Sequence, residues 1–390
     1  VINNYGRQWN NVRVVSQEFR LSSPASSIIS PLKWLTGSYL FYNRSPTKQG
    51  IHIGENGDLA GAEDKNFTSI NTNWTEGYGL ALFGQGTYNL SSNFRVTFGI
   101  RYDYEYKNQR IRAEYMADEA EVILARSDTS TANGFSNFSP KVGAEYQFCS
   151  NSNVYFNYSR GFRAGGISQL SGDAREALQI FDPENSDNWE VGSKNTFLKN
   201  KLQLNVALFS TSVGNAQVPT LLLPEAIIVT RNAGKLHSRG VEVELRLKPL
   251  KQIEFNYNMG YTHARYEVLT IPVDGTAKVY ENSRQIFTPD ITSGLSVDFT
   301  SEINRKSDLK LTGHIEWRRI GDQYFDLANR YHQPDYDLLN ANIGIQIKKM
   351  SFVFYGKNLA DQVYVDYAYD FGAAHLGNSR IYGLLIRTLF

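Results

Sequence analysis

Residues 93–107, NFRVTFGIRYDYEYK, alternate without a lapse: Phe94, Val96, Phe98, Ile100, Tyr102, Tyr104 and Tyr106 are apolar or aromatic, and Arg95, Thr97, Arg101, Asp103 and Glu105 lie between them. Side chains of an extended strand point to opposite faces in turn, so this segment has one greasy face and one charged face. The run is long beside the ~5–6 residues usual for a strand. The rhythm returns at Val142, Ala144, Tyr146 and Phe148, and again at Leu202, Leu204, Val206 and Leu208. It continues at Val241, Val243, Leu245 and Leu247, at Ile253, Phe255, Tyr257, Met259 and Tyr261, and at Leu339, Ala341, Ile343, Ile345 and Ile347.

The spacers alternate too. Short, turn-like ones (89–93, 149–153, 198–201, 248–252 and 348–350) take turns with long polar ones (43–75, 108–137, 164–186, 212–237, 265–287, 320–334 and 360–377). Long connections therefore gather at one end of about fifteen antiparallel strands, a pattern that a soluble sandwich, propeller or β-helix gives no reason for. It predicts an all-β, antiparallel transmembrane β-barrel with tight periplasmic turns and long outer loops. Hydrocarbon offers no hydrogen-bond partner, so the backbone must pair between strands; the apolar face then meets lipid, and the charged face meets a wet interior.

Composition agrees with this reading. The 390 residues are 41% hydrophobic and 13% aromatic, with 24 Tyr and 22 Phe, and mean hydropathy is −0.40. No apolar run approaches the roughly 20 residues of a membrane-spanning helix. Forty Lys and Arg balance 39 Asp and Glu, giving a net charge of +1 that argues against a nucleic-acid surface. The single cysteine, Cys149, excludes an internal disulfide framework. The opening VINNYGRQWNN is polar, lacks a signal peptide and reads as a fragment.

Several segments taken together resemble the C-terminal barrel of TonB-dependent outer-membrane receptors. They are SQEFRLSSP (16–24), YSRGFRAGGIS (158–168), ENSDNWEVGSKNTF (184–197), NAGKLHSRGVEVELRLKP (232–249) and YGKNLADQVY (355–364). The resemblance runs from about residue 11 to the C-terminus, and the whole of 1–390 is read as one barrel portion. It implies a 22-stranded barrel in the outer membrane of a Gram-negative cell, occluded by an N-terminal plug and opened by TonB. The plug, the TonB-contacting peptide and the first strands have no counterpart in these residues, and fifteen antiparallel strands do not make an ordinary even-numbered barrel. The implied function is uptake of a ferric siderophore or similar iron complex by a monomer set in outer-membrane lipid. Gly161, Phe162, Gly165, Gly166, Glu190, Gly192, Lys194, Gly240, Glu242, Asn358, Leu359 and the terminal Phe390 carry the matching motifs and are expected to be structural.

For chemistry the sequence offers little. Six scattered histidines show no metal-ligand spacing, and no nucleophile, base and acid set stands out, so neither a cofactor nor an enzyme is expected. A passive porin shares the strand grammar and is the main rival, ahead of an outer-membrane enzyme. Ligand should be met from the outer rim and loops. Siderophores are rich in oxygen ligands and often anionic, which points to Arg160 and Arg163 first, then Tyr104, Tyr106 and Arg112, each weighed against a rim salt bridge or girdle contact. The apolar stretch VPTLLLPEAIIVT (218–230) is expected to form a hairpin above the membrane or a greasy contact for ligand or partner.

Overall fold

The structure is a computed structural model that describes residues 7–24, 31–60, 64–168, 179–222, 227–232, 234–273, 276–304, 307–369 and 373–388. Phe390 lies outside them. Among the described residues, fifteen long strands form one antiparallel wall in chain order. They are β1 (Arg13–Ser22), β2 (Leu32–Ile53), β3 (Phe67–Asn89), β4 (Phe94–Ala117), β5 (Ile123–Cys149), β6 (Ser152–Arg163), β7 (Glu184–Phe197) and β8 (Leu202–Gly214). The wall continues through β9 (Gly234–Leu250), β10 (Ile253–Val273), β11 (Ile291–Asn304), β12 (Leu309–Ile320), β13 (Tyr336–Ile347), β14 (Met350–Lys357) and β15 (Ile381–Thr388). Two short strands, Arg7–Asn10 and Thr276–Glu281, pair with the upper parts of β2 and β10. Among the described residues β1 pairs only with β2 and β15 only with β14, so the wall has two free edges.

The faces fall as the alternation requires. Phe98 (59% exposed) and Val191 (52%) point outward with Leu82, Leu208, Ile315 and Ile343. Ion pairs such as Arg95–Glu145, Arg101–Asp103 and Arg246–Glu254 line the inner face. An outward row, Tyr42–Tyr78–Tyr106, crosses β2, β3 and β4 in direct register and marks an aromatic girdle, with the Tyr78 and Tyr106 rings 5.0 Å apart.

Glycines of the family motifs are seats for aromatic rings on the inner face. Tyr155 lies over Gly192 and Phe209 over Gly240, in both cases directly across the strand pair, so a Cβ at either glycine would collide with the ring. Phe41 over Gly79, Phe83 over Gly37 and Tyr355 over Gly383 repeat the device. A bare glycine lets the ring lie flat along a curving wall instead of filling the lumen.

Most of the segments 43–75 and 108–137 is strand rather than loop: residues 43–53, 67–75, 108–117 and 123–137 belong to the wall. β2, β3, β4 and β5 run for 22, 23, 24 and 27 residues, far beyond the ~9–11 that cross a bilayer, and they rise above the girdle as a paired sheet. Above the membrane both faces are polar or locally buried. The lipid signature that marks a strand in the sequence therefore disappears while the backbone pairing continues.

Candidate ligand-binding mouth

Above the wall the long connections pack on one another. Within the apolar stretch, Gln217–Leu222 pairs antiparallel with Ile227–Asn232, as expected for a hairpin. Val218 packs with Ala216, Leu236, Tyr266 and Leu269 in a small core that Val213, Tyr280 and Leu327 adjoin. Burial pushes the Tyr266 phenol up to about 12, and the negative charge of Glu184 adds to the effect. Gln217 Nε2 donates to the carbonyls of Ala164 (3.0 Å) and Asp182 (3.1 Å), tying this hairpin to the loop after β6. Asn358, fully buried, holds the last long loop closed: its Nδ2 donates to the carbonyls of Gln362 and Asn378 at 2.9 and 3.0 Å. Leu359 folds back over Gly356.

A second knot lies between the loops that follow β10 and β12. Arg284, whose side chain is only 13% exposed, pairs with Asp290 at 2.5 Å and Asp322 at 2.8 Å and lies over the Tyr324 ring. Burial opposes its charge, but the two carboxylates outweigh burial and hold its pKa above the ordinary value. Phe287, Phe325, Tyr367 and Tyr369 stack beside it.

The sequence candidates divide by face. Arg163 is exposed and falls on the inner-facing parity of β6, at the outer end of the strand, with no ion-pair partner among the described residues. Arg160 does not join it. Its guanidinium grips Asp187 outward with two bonds of 2.9 and 3.0 Å, Tyr158 donates to the same carboxylate at 2.8 Å, and Tyr158 packs on Trp189. Tyr104 and Tyr106 also face outward, sharing the face of Phe98, and Tyr106 belongs to the girdle. Arg112 stands higher on that outer face, bonded to Asp128 at 2.7 Å and stacked with Arg110 against Trp74. The hydrogen bond from Arg112 is the main reason the Asp128 carboxyl sits below its usual range. The alternation that opens the sequence already fixed the parity of the two tyrosines; only the pairing of Arg160 with Asp187 needed the fold.

The loop motif FRAGG turns inward. Lys107 Nζ donates to the Gly165 carbonyl at 2.8 Å and Gln109 Nε2 to that of Ser168 at 2.5 Å, so residues 164–168 lie on the inner face of the extended sheet. A Cβ at Gly165 would strike Phe135 and the Phe181 carbonyl, and one at Gly166 would strike the Phe181 ring. Gly161 fits beside Ser186, and Phe162 pairs in register with Asn185. Lower down, Glu190 and Lys194 line a polar recess of about 220 Å³ with Arg95, Glu145 and Tyr155, and Glu242 lies on the same inner face. A larger recess of about 410 Å³ opens on the lipid side between Ile315, Ala341, Ile343 and Phe354, so volume alone does not locate the mouth. The aromatic and Arg284 crest escaped the sequence reading because its residues are scattered over three loops.

A wall with oil outside, ion pairs inside and a packed crest on one rim defines an outer-membrane receptor barrel. Residues 2–359 match the family described as TonB dependent receptor-like, beta-barrel, and the chain belongs to that family, which places it in the Gram-negative outer membrane. The pesticin receptor of Yersinia pestis is 23% identical over 325 residues, 82% of this chain and 45% of its own. The ferrichrome outer membrane transporter/phage receptor of Escherichia coli K12 is 24% identical over 276 residues, 69% of this chain and 32% of its own. Among solved structures, the ferric yersiniabactin uptake receptor FyuA of Yersinia pestis superposes with a TM-score of 0.80 at 20% identity, covering 98% of this chain and 54% of that one. The siderophore receptor PiuA of Acinetobacter baumannii gives 0.76 at 15% identity, covering 98% and 56%. The chain thus spans about half the length of the proteins it matches.

Proposed function

We propose that residues 1–390 form the barrel portion of a receptor that takes up a ferric siderophore or a similar iron complex, driven by TonB. The reading rests on membership of the TonB-dependent receptor family and on relatives whose names refer to pesticin, ferrichrome, ferric yersiniabactin and siderophores. The observation that carries it is the crest: connections packed and cross-tied on one rim lie beside the inward-facing Arg163, which has no ion-pair partner among the described residues. A guanidinium there can pair with the anionic oxygens of an iron chelate, and the Phe287–Tyr367 cluster supplies flat apolar surface beside charge. Energy coupling through TonB belongs to the plug-bearing part of such receptors, and the complete receptor works as a monomer in lipid.

The test is growth of a strain deleted for the gene and complemented with the complete receptor, on ferric yersiniabactin or ferrichrome as sole iron source. Uptake that depends on the gene and on TonB supports the reading. Passage of small sugars at the same rate without TonB would instead make the protein a pore.

A further inference from the structure

On the outward face, the apolar band ends along the row Val191–Leu208–Val241–Tyr261–Ile291, which crosses β7 to β11 in direct register. The row above it holds Arg239 beside His263, and the next holds His237 beside Arg265. Lys235 stands above these, exposed on the same side. Neither of the first two rows on β9 and β10 contains a carboxylate. Arg265 is held by neutral acceptors, His263 Nε2 at 3.1 Å and the Asn282 carbonyl at 2.9 Å. Glu267 sits higher, at a bulge, and approaches His237 at 3.5 Å; Glu281 pairs in register with Val268 higher still. The flanking acids are committed, Asp187 to Arg160 and Asp290 to Arg284. Among the described residues, Lys235, Arg239 and Arg265 have no ion-pair partner.

The opposite stretch of wall is different. There the outward cations Arg44, Lys48, Arg110 and Arg112 above the Tyr42–Tyr78–Tyr106 girdle meet acids: Arg44 with Glu76, Lys48 with Glu114, and Arg110 and Arg112 with Asp128. Arg13, across from Arg44 on edge strand β1, is a single cation without an ion-pair partner among the described residues. Only in the β9–β10 sector, among the described residues, do three such cations gather on adjacent strands, in the first three side-chain rows above the apolar band, where a barrel wall meets lipid headgroups.

We infer that Lys235, Arg239 and Arg265, with His237 and His263, form a docking surface for the phosphate-bearing headgroup of an outer-leaflet lipid. The surface is continuous with the lipid-facing band below, so acyl chains of the same lipid lie against Leu208, Val241 and Tyr261 while its phosphate meets the guanidinium groups. The site is on the outer wall, away from the mouth, and does not depend on which cargo the receptor carries.

The complete receptor, purified in dodecyl maltoside micelles, is mixed with phosphatidic acid or with phosphatidylcholine of the same chains, and bound lipid is counted by native mass spectrometry. Wild type is expected to retain phosphatidic acid preferentially. The variant Lys235→Gln/Arg239→Gln/Arg265→Gln should bind it roughly tenfold more weakly or worse, and Arg44→Gln/Lys48→Gln/Arg112→Gln should stay within about twofold of wild type. Heat-modifiable mobility on gels confirms that each barrel is folded; if the triple variant fails this check, Arg239→Gln alone should weaken binding by roughly fivefold. Equal loss in both sets of variants, or no preference for phosphatidic acid, would overturn the inference. So would displacement of the lipid by inorganic phosphate, which would mark a free-anion site.

Discussion

Arg160 and Arg163 lie on one strand and face opposite media, and that difference decides their roles. Replacing Arg163 with Ala removes the free inward cation; affinity for the ferric chelate is expected to drop roughly tenfold or more, as for loss of a hydrogen bond to a charged group. Arg160→Ala breaks an exposed pair worth about 0–1 kcal/mol and should leave affinity unchanged. Titrating both variants with the same chelate separates them, and an unchanged Arg163 variant would remove that residue from the mouth. Tyr266 makes a second residue-scale prediction. Its phenol has an ordinary value of 10.0 and is raised to about 12 in the folded crest, so the fold binds the proton more tightly than the unfolded chain does. That stabilisation is complete below about 10 and is lost as the pH climbs toward about 12. The crest should therefore loosen in this alkaline window, seen as easier proteolysis of residues 217–232, and Tyr266→Phe should remove the dependence.

At the scale of elements, burial and lipid set different penalties. Leu269 is fully buried in the crest core, and Leu269→Ala should cost about 2–5 kcal/mol locally. Hydrogen exchange should show the Gln217–Asn232 hairpin opening while β3 and β4 stay protected. Val243 faces lipid in the middle of β9, and Val243→Arg should cost about 2–4 kcal/mol of barrel stability, readable as a lower urea midpoint for folding into vesicles. The elements also show why the polar segments 43–75 and 108–137 read as loops in the sequence. Wall strands announce themselves because one face is in oil; the upper halves of β2 to β5 do not, because water and neighbouring loops accept polar and apolar residues alike. The family glycines were visible as motif letters, but their role as seats for Tyr155 and Phe209 depends on which residue stands across the strand, a matter of register.

For the whole molecule, the two edge strands carry the main consequence. Backbone groups of β1 and β15 that face away from the sheet need partners in hydrocarbon, so residues 1–390 by themselves should not yield a heat-modifiable barrel or gene-dependent iron uptake. Joined to the remainder of a receptor of this family, they should yield both; a stable closed pore from 1–390 alone would refute the open wall. What the sequence determined by itself was the medium on each face, the strand count and the single rim of long connections. Those follow from a two-residue side-chain period and from the need to pair every backbone group in oil, both local and both written along the chain. Tertiary structure alone decided that Arg160 is tied to Asp187 and Arg163 is not, that FRAGG folds inward onto Gln109, and that Lys235, Arg239 and Arg265 meet no carboxylate among the described residues. Such contacts join residues far apart in the chain, and no local pattern encodes which of the many charges will meet.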